Sequence, residues 1–425
     1  MNRSIYTFLL CLSLPIAILK LIAKERKSPL WKTKLKNQLG FVTKTSKKVI
    51  WVHCVSVGEF NAARPLIDQL LDIYPKHKLL ITTTTITGAE AVRNHYKNRV
   101  THCFFPFDLP LIVGTFIKKI NPVACILLET EIWPNLINKL SKKAIPVMLV
   151  NARLSERSLK KYQKISSNHV QKVINQLTLI GSQNERSSER FLTLGALPDK
   201  VVTVGNLKFD SNEKDNPNTT QLLQQMIGQR RVVVFASTRE GEERKIIQSY
   251  VKLKNKFDAL LIIVPRHPQR FDEVFDLIVD SGLKVKRRTD GLACDESTEI
   301  LLGDSMGELL SYYSVSDIAF IGGSLIDFGG QNMLEAASAS KPILFGPSVF
   351  NFEQIAQLLL EKDAAIQVDD TDDLMKTISN LLLDDIEREK LGDNAKNLLE
   401  KHRGAVDRLM KLITCLLYTS DAADE

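Results

Sequence analysis

Short apolar, β-branched runs, each followed by a segment of helical period, recur in two successive series and constrain this chain more than any other feature. The first series is Val49–Val57, Leu79–Thr84, Val100–Phe105, Val123–Leu128, Pro146–Val150, Leu177–Ile180 and Val201–Val204. The second is Val232–Ala236, Ala259–Val264, Lys284–Lys286, Ile300–Leu302, Ile318–Ile321, Pro342–Phe345 and Ala364–Val368. Runs this apolar read as strands buried on both faces, and their alternation with helices predicts doubly wound α/β domains with parallel sheets. Between the series, Ser211–Thr220 carries no apolar residue and contains Pro217, which predicts a linker over 211–220. A chain of 425 residues suits two domains. They are expected at 24–210 and 221–415, with Leu- and Lys-rich helices closing the second. The stretch 416–425 does not continue the pattern of those helices and is expected to be a non-native tail.

Ahead of the first domain, Ile5–Ala23 is apolar apart from Lys20 and a few hydroxyls. It is close to the roughly 20 residues that span a bilayer. Pro15 and Lys20 leave a single span and a monotopic anchor both open, so residues 1–23 are expected to be a membrane anchor of one kind or the other. Lys20, Lys24, Arg26, Lys27, Lys32, Lys34, Lys36, Lys44, Lys47 and Lys48 follow, against Glu25 alone. That cluster accounts for the whole net charge of +8, so the rest is near neutral and a nucleic-acid partner is not expected. Cations placed just after an apolar segment fit anionic lipids, and their excess over Arg3 predicts that the bulk stays on the cytoplasmic side. The cysteines and histidines show no metal-ligand or redox spacing, which predicts a reducing compartment and no metal.

Several polar residues stand where strands give way to helices, the place where open α/β sheets bind ligands. Glu59 follows Val49–Val57 across Gly58, ahead of the helical spacing of Ala63, Leu66, Ile67 and Leu70. It is a carboxylate standing where a parallel-sheet enzyme can use one, with a helix-dipole complement as the competing reading. Glu129 and Glu131 follow the fourth run, Glu131 reading better as a cap for the next helix. Lys208, between Leu207 and Phe209, is a candidate for stabilising phosphate or carboxylate charge, although a lone lysine is more often solvated. In the second series Pro265 and Arg266 end a strand, with His267 beside them. Met306, Gly307 and Glu308 open a helix, whose start favours anions. Gly323 and Ser324 end another strand, Asn332 and Glu335 lie one helical turn apart, and Arg239 follows the strand at Val232–Ala236.

The motif HCVSVGE, with Arg64 and Pro65 after it, resembles the Kdo transferases of lipopolysaccharide synthesis, which move 3-deoxy-D-manno-octulosonic acid from CMP-Kdo to lipid A precursor. ETEIWPN, NARLSERS, GNLKFD, ASTREGEE, PRHP, GDSMGEL, GGS, GQNMLE and FGPSVFNF resemble the same family in its order, from about Arg26 to Arg403. The resemblance implies a GT-B fold, two doubly wound domains facing across a cleft, at the cell inner membrane. It implies Glu59 as general base, Glu129 at the reaction centre and Lys208 as a catalytic cation. CMP binding would fall to Pro265, Arg266, Met306, Gly307, Glu308, Asn332 and Glu335, the last on the ribose, with Arg239, His267, Gly323 and Ser324 as weaker candidates. The expected partners are CMP-Kdo, lipid A precursor (lipid IVA) and inner-membrane anionic lipids, without cofactor or metal, since a donor with one phosphate offers no diphosphate to bridge. The expected reaction is inverting transfer. Competing readings are a membrane-associated GT-B enzyme using a UDP-sugar, a nucleotide-sugar epimerase, and a membrane-attached nucleotide-binding protein without catalysis.

Overall fold

Fourteen parallel strands form two sheets in the computed structural model, which describes residues 3–210, 215–253 and 258–421. The first sheet comprises β1 (Val49–His53), β2 (Lys78–Thr83), β3 (Thr101–Phe104), β4 (Pro122–Leu128), β5 (Val147–Ala152), β6 (Leu179–Ser182) and β7 (Val201–Thr203). Their order is β3-β2-β1-β4-β5-β6-β7. The second comprises β8 (Val232–Thr238), β9 (Leu260–Pro265), β10 (Val285–Arg287), β11 (Ile300–Leu302), β12 (Ile318–Ile321), β13 (Ile343–Phe345) and β14 (Ala365–Gln367). These run in the order β10-β11-β9-β8-β12-β13-β14. Each expected strand is present, and the fold class is the expected GT-B type of α/β protein.

Period-two alternation sorts the first sheet's side chains to its two faces. Val49 and Trp51 enter one buried cluster and Ile50 and Val52 the other, each covered by helices. The second sheet buries Val233, Phe235, Leu261, Ile263 and Phe320 beneath helices in the same way. In a right-handed doubly wound sheet, strand order reverses once, and the loops on either side splay apart to leave a crevice. The reversal falls between β1 and β4 in the first sheet and between β8 and β12 in the second.

Local chemistry corrects several expected boundaries. β1 stops at His53, and the next helix is Val57–Ile73, so Gly58 lies inside its first turn and Glu59 is helical. Ser56 caps it by accepting from the Glu59 N–H, the S-x-x-E pattern of a helix start. The expected linker ends early, because Asn216 caps a helix at Pro217–Ile227, while 211–214 lie outside the described residues.

The largest correction concerns the carboxyl terminus. The two units are Met1–Ser211 with His402–Glu425, and Asn212–Lys401, so the chain leaves the first unit and returns to it. The returning helix, Ala405–Asp421, places Ala405, Val406, Leu409, Met410, Ile413 and Leu417 in the first unit's core. The Asp210 carboxylate accepts from the Gly404 N–H at 2.7 Å and the Val406 N–H at 2.6 Å, clamping the two crossing points together. Gly205 is required at this seam: its φ is +99°, and a Cβ there would lie 2.9 Å from the Arg408 guanidinium and 3.2 Å from Ala405. Leu416 to Asp421, expected to stand apart, continues this helix, with Leu417 buried; 422–425 lie outside the described residues.

At the amino terminus one helix, Arg3–Glu25, is long and apolar enough to cross a membrane. Tyr6 donates to Asp108 at 3.0 Å and Thr7 to Asn135 at 3.2 Å, tying one side of the helix to the first unit. Ile5, Phe8, Leu12, Ile16 and Leu19 are exposed on its other side.

Candidate active site

Three expected residues converge at the first sheet's reversal. Glu59 follows β1 and Glu129 follows β4, its neighbour in the sheet. The Glu59 carboxylate accepts from the Val55 N–H at 2.7 Å. Burial pushes its pKa up to about 8; the Val55 bond opposes this, the carboxylates of Glu129 and Glu131 add to it, and Lys208 opposes it. The same two groups, Glu59 and Glu129, reinforce burial in raising the Cys54 thiol. Glu129 has a φ of +57°, a strained backbone for a residue with a side chain, of the kind that persists where surrounding structure over-determines it.

Lys208 is not a solvated surface lysine. It sits half-buried in a short turn, Leu207–Asp210, between buried Leu207 and Phe209. Burial lowers its pKa, Glu129 and Glu59 support its charge, and Arg153 opposes it. That turn is pinned by Asn151 at the end of β5, whose side-chain oxygen accepts from the Leu207 N–H at 3.0 Å. Asn151 is fully buried with φ +51° and escaped the sequence reading; asparagine just after an apolar strand, tolerant of the left-handed region, was the available signal.

Glu131 does not cap the following helix, Pro134–Ser141, which has no side-chain cap. Its carboxylate instead accepts from the Trp133 indole at 2.8 Å and lies 3.7 Å from His53 Nε2. His53 is fully buried and stacks on Phe105 at 3.8 Å between ring centroids. These partners give Glu131 a fixed place beside the other two carboxylates.

The second unit gathers its candidates at the carboxyl ends of β8, β9, β11 and β12. Arg239, Arg266 and His267 form a cationic group: Arg239 Nη1 meets His267 Nε2 at 2.5 Å, and Arg266 is exposed beside them. Burial, then Arg239, Arg266 and Arg270, hold the His267 pKa below its usual value, so the ring stays neutral and accepts from Arg239. The arrangement leaves concentrated positive charge for a phosphate or carboxylate. Asn332 donates to Glu335 at 2.7 Å, although the helix itself begins only at Leu334. Met306 is exposed, Gly307 has φ +79°, and Glu308 is held by Arg288 at 3.0 Å and Ser305 at 2.5 Å. That ion pair ties the Glu308 carboxylate to protein groups.

Gly323 and Ser324 require a correction. Their amides do not face a ligand, because both donate to the buried carboxylate of Glu242, at 2.7 Å and 3.2 Å. Leu325 and Arg239 donate to it too, at 3.1 Å and 3.2 Å. The Ser324 hydroxyl accepts from the Gly346 N–H at 2.8 Å, which locks β12 to β13. Gly322 is needed for closeness alone, since a Cβ there would stand 2.6 Å from the Ser237 carbonyl oxygen. Glu242 was missed because its amide partners are remote in sequence; a glutamate within ASTREGEE reads as an ordinary first-turn acid.

A family model described as 3-deoxy-D-manno-octulosonic-acid transferase matches residues 33–211. The chain is 38% identical over 420 residues to a 3-deoxy-D-manno-octulosonic acid transferase of Haemophilus influenzae, covering 97% of this chain and 98% of that one. It is 32% identical over 371 residues to the enzyme of that name from Bordetella pertussis, covering 85% and 86%. Among solved structures, a UDP-GlcNAc 2-epimerase from Neisseria meningitidis is similar with a TM-score of 0.57 at 16% identity, over 86% of this chain and 100% of that one. At that identity the likeness is one of fold.

Proposed function

The chain belongs to the 3-deoxy-D-manno-octulosonic acid (Kdo) transferase family and is a Kdo transferase, and from this premise we propose that it carries Kdo from CMP-Kdo to the lipid A precursor lipid IVA by one inverting displacement. Glu59 is the general base. It takes the proton of an acceptor sugar hydroxyl as that oxygen attacks the Kdo anomeric carbon, and the bond from that carbon to the CMP phosphate oxygen breaks. The observation that carries this reading is the Glu59 carboxylate itself, fixed on the Val55 N–H at the strand-order reversal with a pKa raised to about 8. A base is most effective when its pKa lies near the working pH, because it is then both available and strong.

Lys208 and Glu129 flank that carboxylate electrostatically. The cation balances negative charge carried by Kdo, which is itself an acid, and the strained Glu129 helps set the basicity of Glu59. In the second unit, Arg239 and Arg266 take the phosphate of CMP, and Asn332 with Glu335 takes the ribose. With one phosphate leaving as a monoester, these cations meet its charge without a divalent ion. The apolar helix Arg3–Glu25 and the lysines after it hold the enzyme on anionic lipids at the cytoplasmic face of the inner membrane, where a lipid acceptor is presented.

The test is incubation of the full chain with lipid IVA and either CMP-Kdo or UDP-sugars, with products read by mass spectrometry and NMR. Consumption of CMP-Kdo, an inverted anomeric configuration, and loss of turnover with retained CMP binding in Glu59→Ala are expected. Consumption of a UDP-sugar instead, or a retained configuration, would sink the proposal.

A further inference from the structure

An apolar cavity of about 270 Å³ lies within the first unit, between the amino-terminal helix and the loop that follows β3. Leu10, Leu14 and Ala17 wall it on the helix side, and Phe107, Leu109 and Trp133 on the other. We propose that this cavity seats one acyl chain of the lipid acceptor, entering alongside the exposed face of the amino-terminal helix. The inference rests on the reading above that the acceptor is an acylated sugar.

Three observations support a lipid chain as the occupant. The first is continuity with an apolar exterior. Leu10, Leu14 and Ala17 form the inner stripe of a helix whose outer stripe, Ile5, Phe8, Leu12, Ile16 and Leu19, is exposed and also apolar, and Ser13, at the cavity's edge, is exposed too, which opens the cavity on the flank of that helix.

The second is continuity with the carboxylates. Trp133 both lines the cavity and donates to Glu131. Phe105, also in the wall, stacks on His53, which approaches the same carboxylate. Thr84 lines it as well, and its N–H bonds the Val55 carbonyl at 3.1 Å, while the Val55 N–H holds Glu59. The cavity wall is therefore joined through Trp133, Phe105 and Thr84 to the residues that hold Glu131 and the proposed base.

The third is polar and local. Gln38 lines the cavity, is 7% exposed, and has a side-chain oxygen with no hydrogen-bond partner among the described residues. A buried acceptor of this kind is costly unless a donor arrives, and the linkage region of an acylated sugar can provide one as an amide N–H or a hydroxyl. The cavity is smaller than the usual range for a whole drug-sized ligand, which suits a segment of a single chain.

The test compares the acylated acceptor with the same phosphorylated disaccharide stripped of its acyl chains, in detergent, using the full enzyme. Ala17→Trp and Leu14→Trp fill the cavity from the helix side, where the wall includes Asp108 but none of Glu59, Glu129 and Glu131. Displacing two or more methylenes from an apolar site is expected to raise KM for the acylated acceptor about tenfold or more, with kcat/KM for the stripped one unchanged. Equal effects on both acceptors, or on neither, overturn the proposal. Failure of the underlying reading shows differently, as a wild-type enzyme that transfers Kdo to neither acceptor. Should the variants misfold, a photoreactive diazirine acyl analogue on the wild type decides: adducts within residues 10–17 or 105–109 support the site, and adducts confined elsewhere overturn it.

Discussion

The Glu59 Oε2 atom accepts from the Val55 N–H at 2.7 Å, four residues back along the chain, so the proposed base is oriented by the backbone that leads out of β1. The bond favours the ionised carboxylate while burial opposes it, and burial prevails, placing the pKa at about 8. Orientation and basicity are thereby set by separate features of one loop.

The pH dependence follows. The rate measured as kcat/KM is expected to rise with pH as Glu59 ionises, with an apparent pKa near 8, and to level above it. Glu59→Gln keeps an acceptor for the Val55 N–H but cannot take a proton, and a loss of about 10²-fold to 10⁴-fold is expected. A pH–rate profile that levels below pH 6 would contradict this.

Stability should move in the opposite direction to activity. The native Glu59 carboxyl keeps its proton up to about pH 8, whereas the ordinary value is 4.5, so the folded state binds more protons between those limits and loses stability as pH rises through them. Glu59→Gln abolishes that loss. After allowance for partial exposure, its gain over wild type should grow from near zero at pH 4.5 to roughly 2 kcal/mol above pH 8. Urea unfolding at the two pH values measures it.

Asn151→Ala leaves the Leu207 N–H without its 3.0 Å acceptor and frees the turn that carries Lys208. A loss of about 1–3 kcal/mol is expected in thermal or urea unfolding. The fall in kcat should exceed any change in CMP affinity, since CMP is assigned to the other unit. An unchanged kcat with normal stability would show that Asn151 does not position Lys208.

Much of the fold is legible from the sequence because strands buried on both faces are unbroken apolar runs. Ile300–Leu302 and Ile318–Ile321 match their predicted limits, and other strands differ mainly at their ends. The site was legible to the extent that its residues follow strands, as Glu59, Glu129 and Arg266 do. What eluded it depends on contacts far along the chain. Glu242 meets amides 81 to 83 residues away, and the apolar stripe of Ala405–Asp421 does not reveal which sheet it covers. The start of the helix at Val57 was readable in Ser56 and Glu59, but Gly58 suggested a break where a cap stood.

Glu242→Ala would strip the common acceptor from the N–H groups of Arg239, Gly323, Ser324 and Leu325. Leaving several buried donors unmet at about 1–3 kcal/mol each is expected to lower the melting temperature sharply and to loosen the loop after β12. Calorimetry should show weakened CMP binding in whatever fraction folds. Full CMP affinity and an unaltered melting temperature would refute this account.

Arg266→Ala removes an exposed cation of the group that includes Arg239 and His267. CMP affinity is expected to fall roughly 10-fold to 100-fold, the worth of a charge-assisted contact of about 1.5–3 kcal/mol, and to show a weaker dependence on salt than wild type. His267 should also become easier to protonate, because a neighbouring positive charge is gone. NMR titration of its ring reads this out without any substrate.

Because Ala405, Leu409 and Ile413 complete a core begun at Ile50, the amino-terminal half cannot finish folding until roughly 350 residues after its first strand have been made. Residues 212–401 emerge whole before then and can mature first, although they are made second. Nascent first-unit strands must wait with part of one apolar face uncovered, and a truncation that removes Ala405–Leu417 should send the polypeptide to proteolysis.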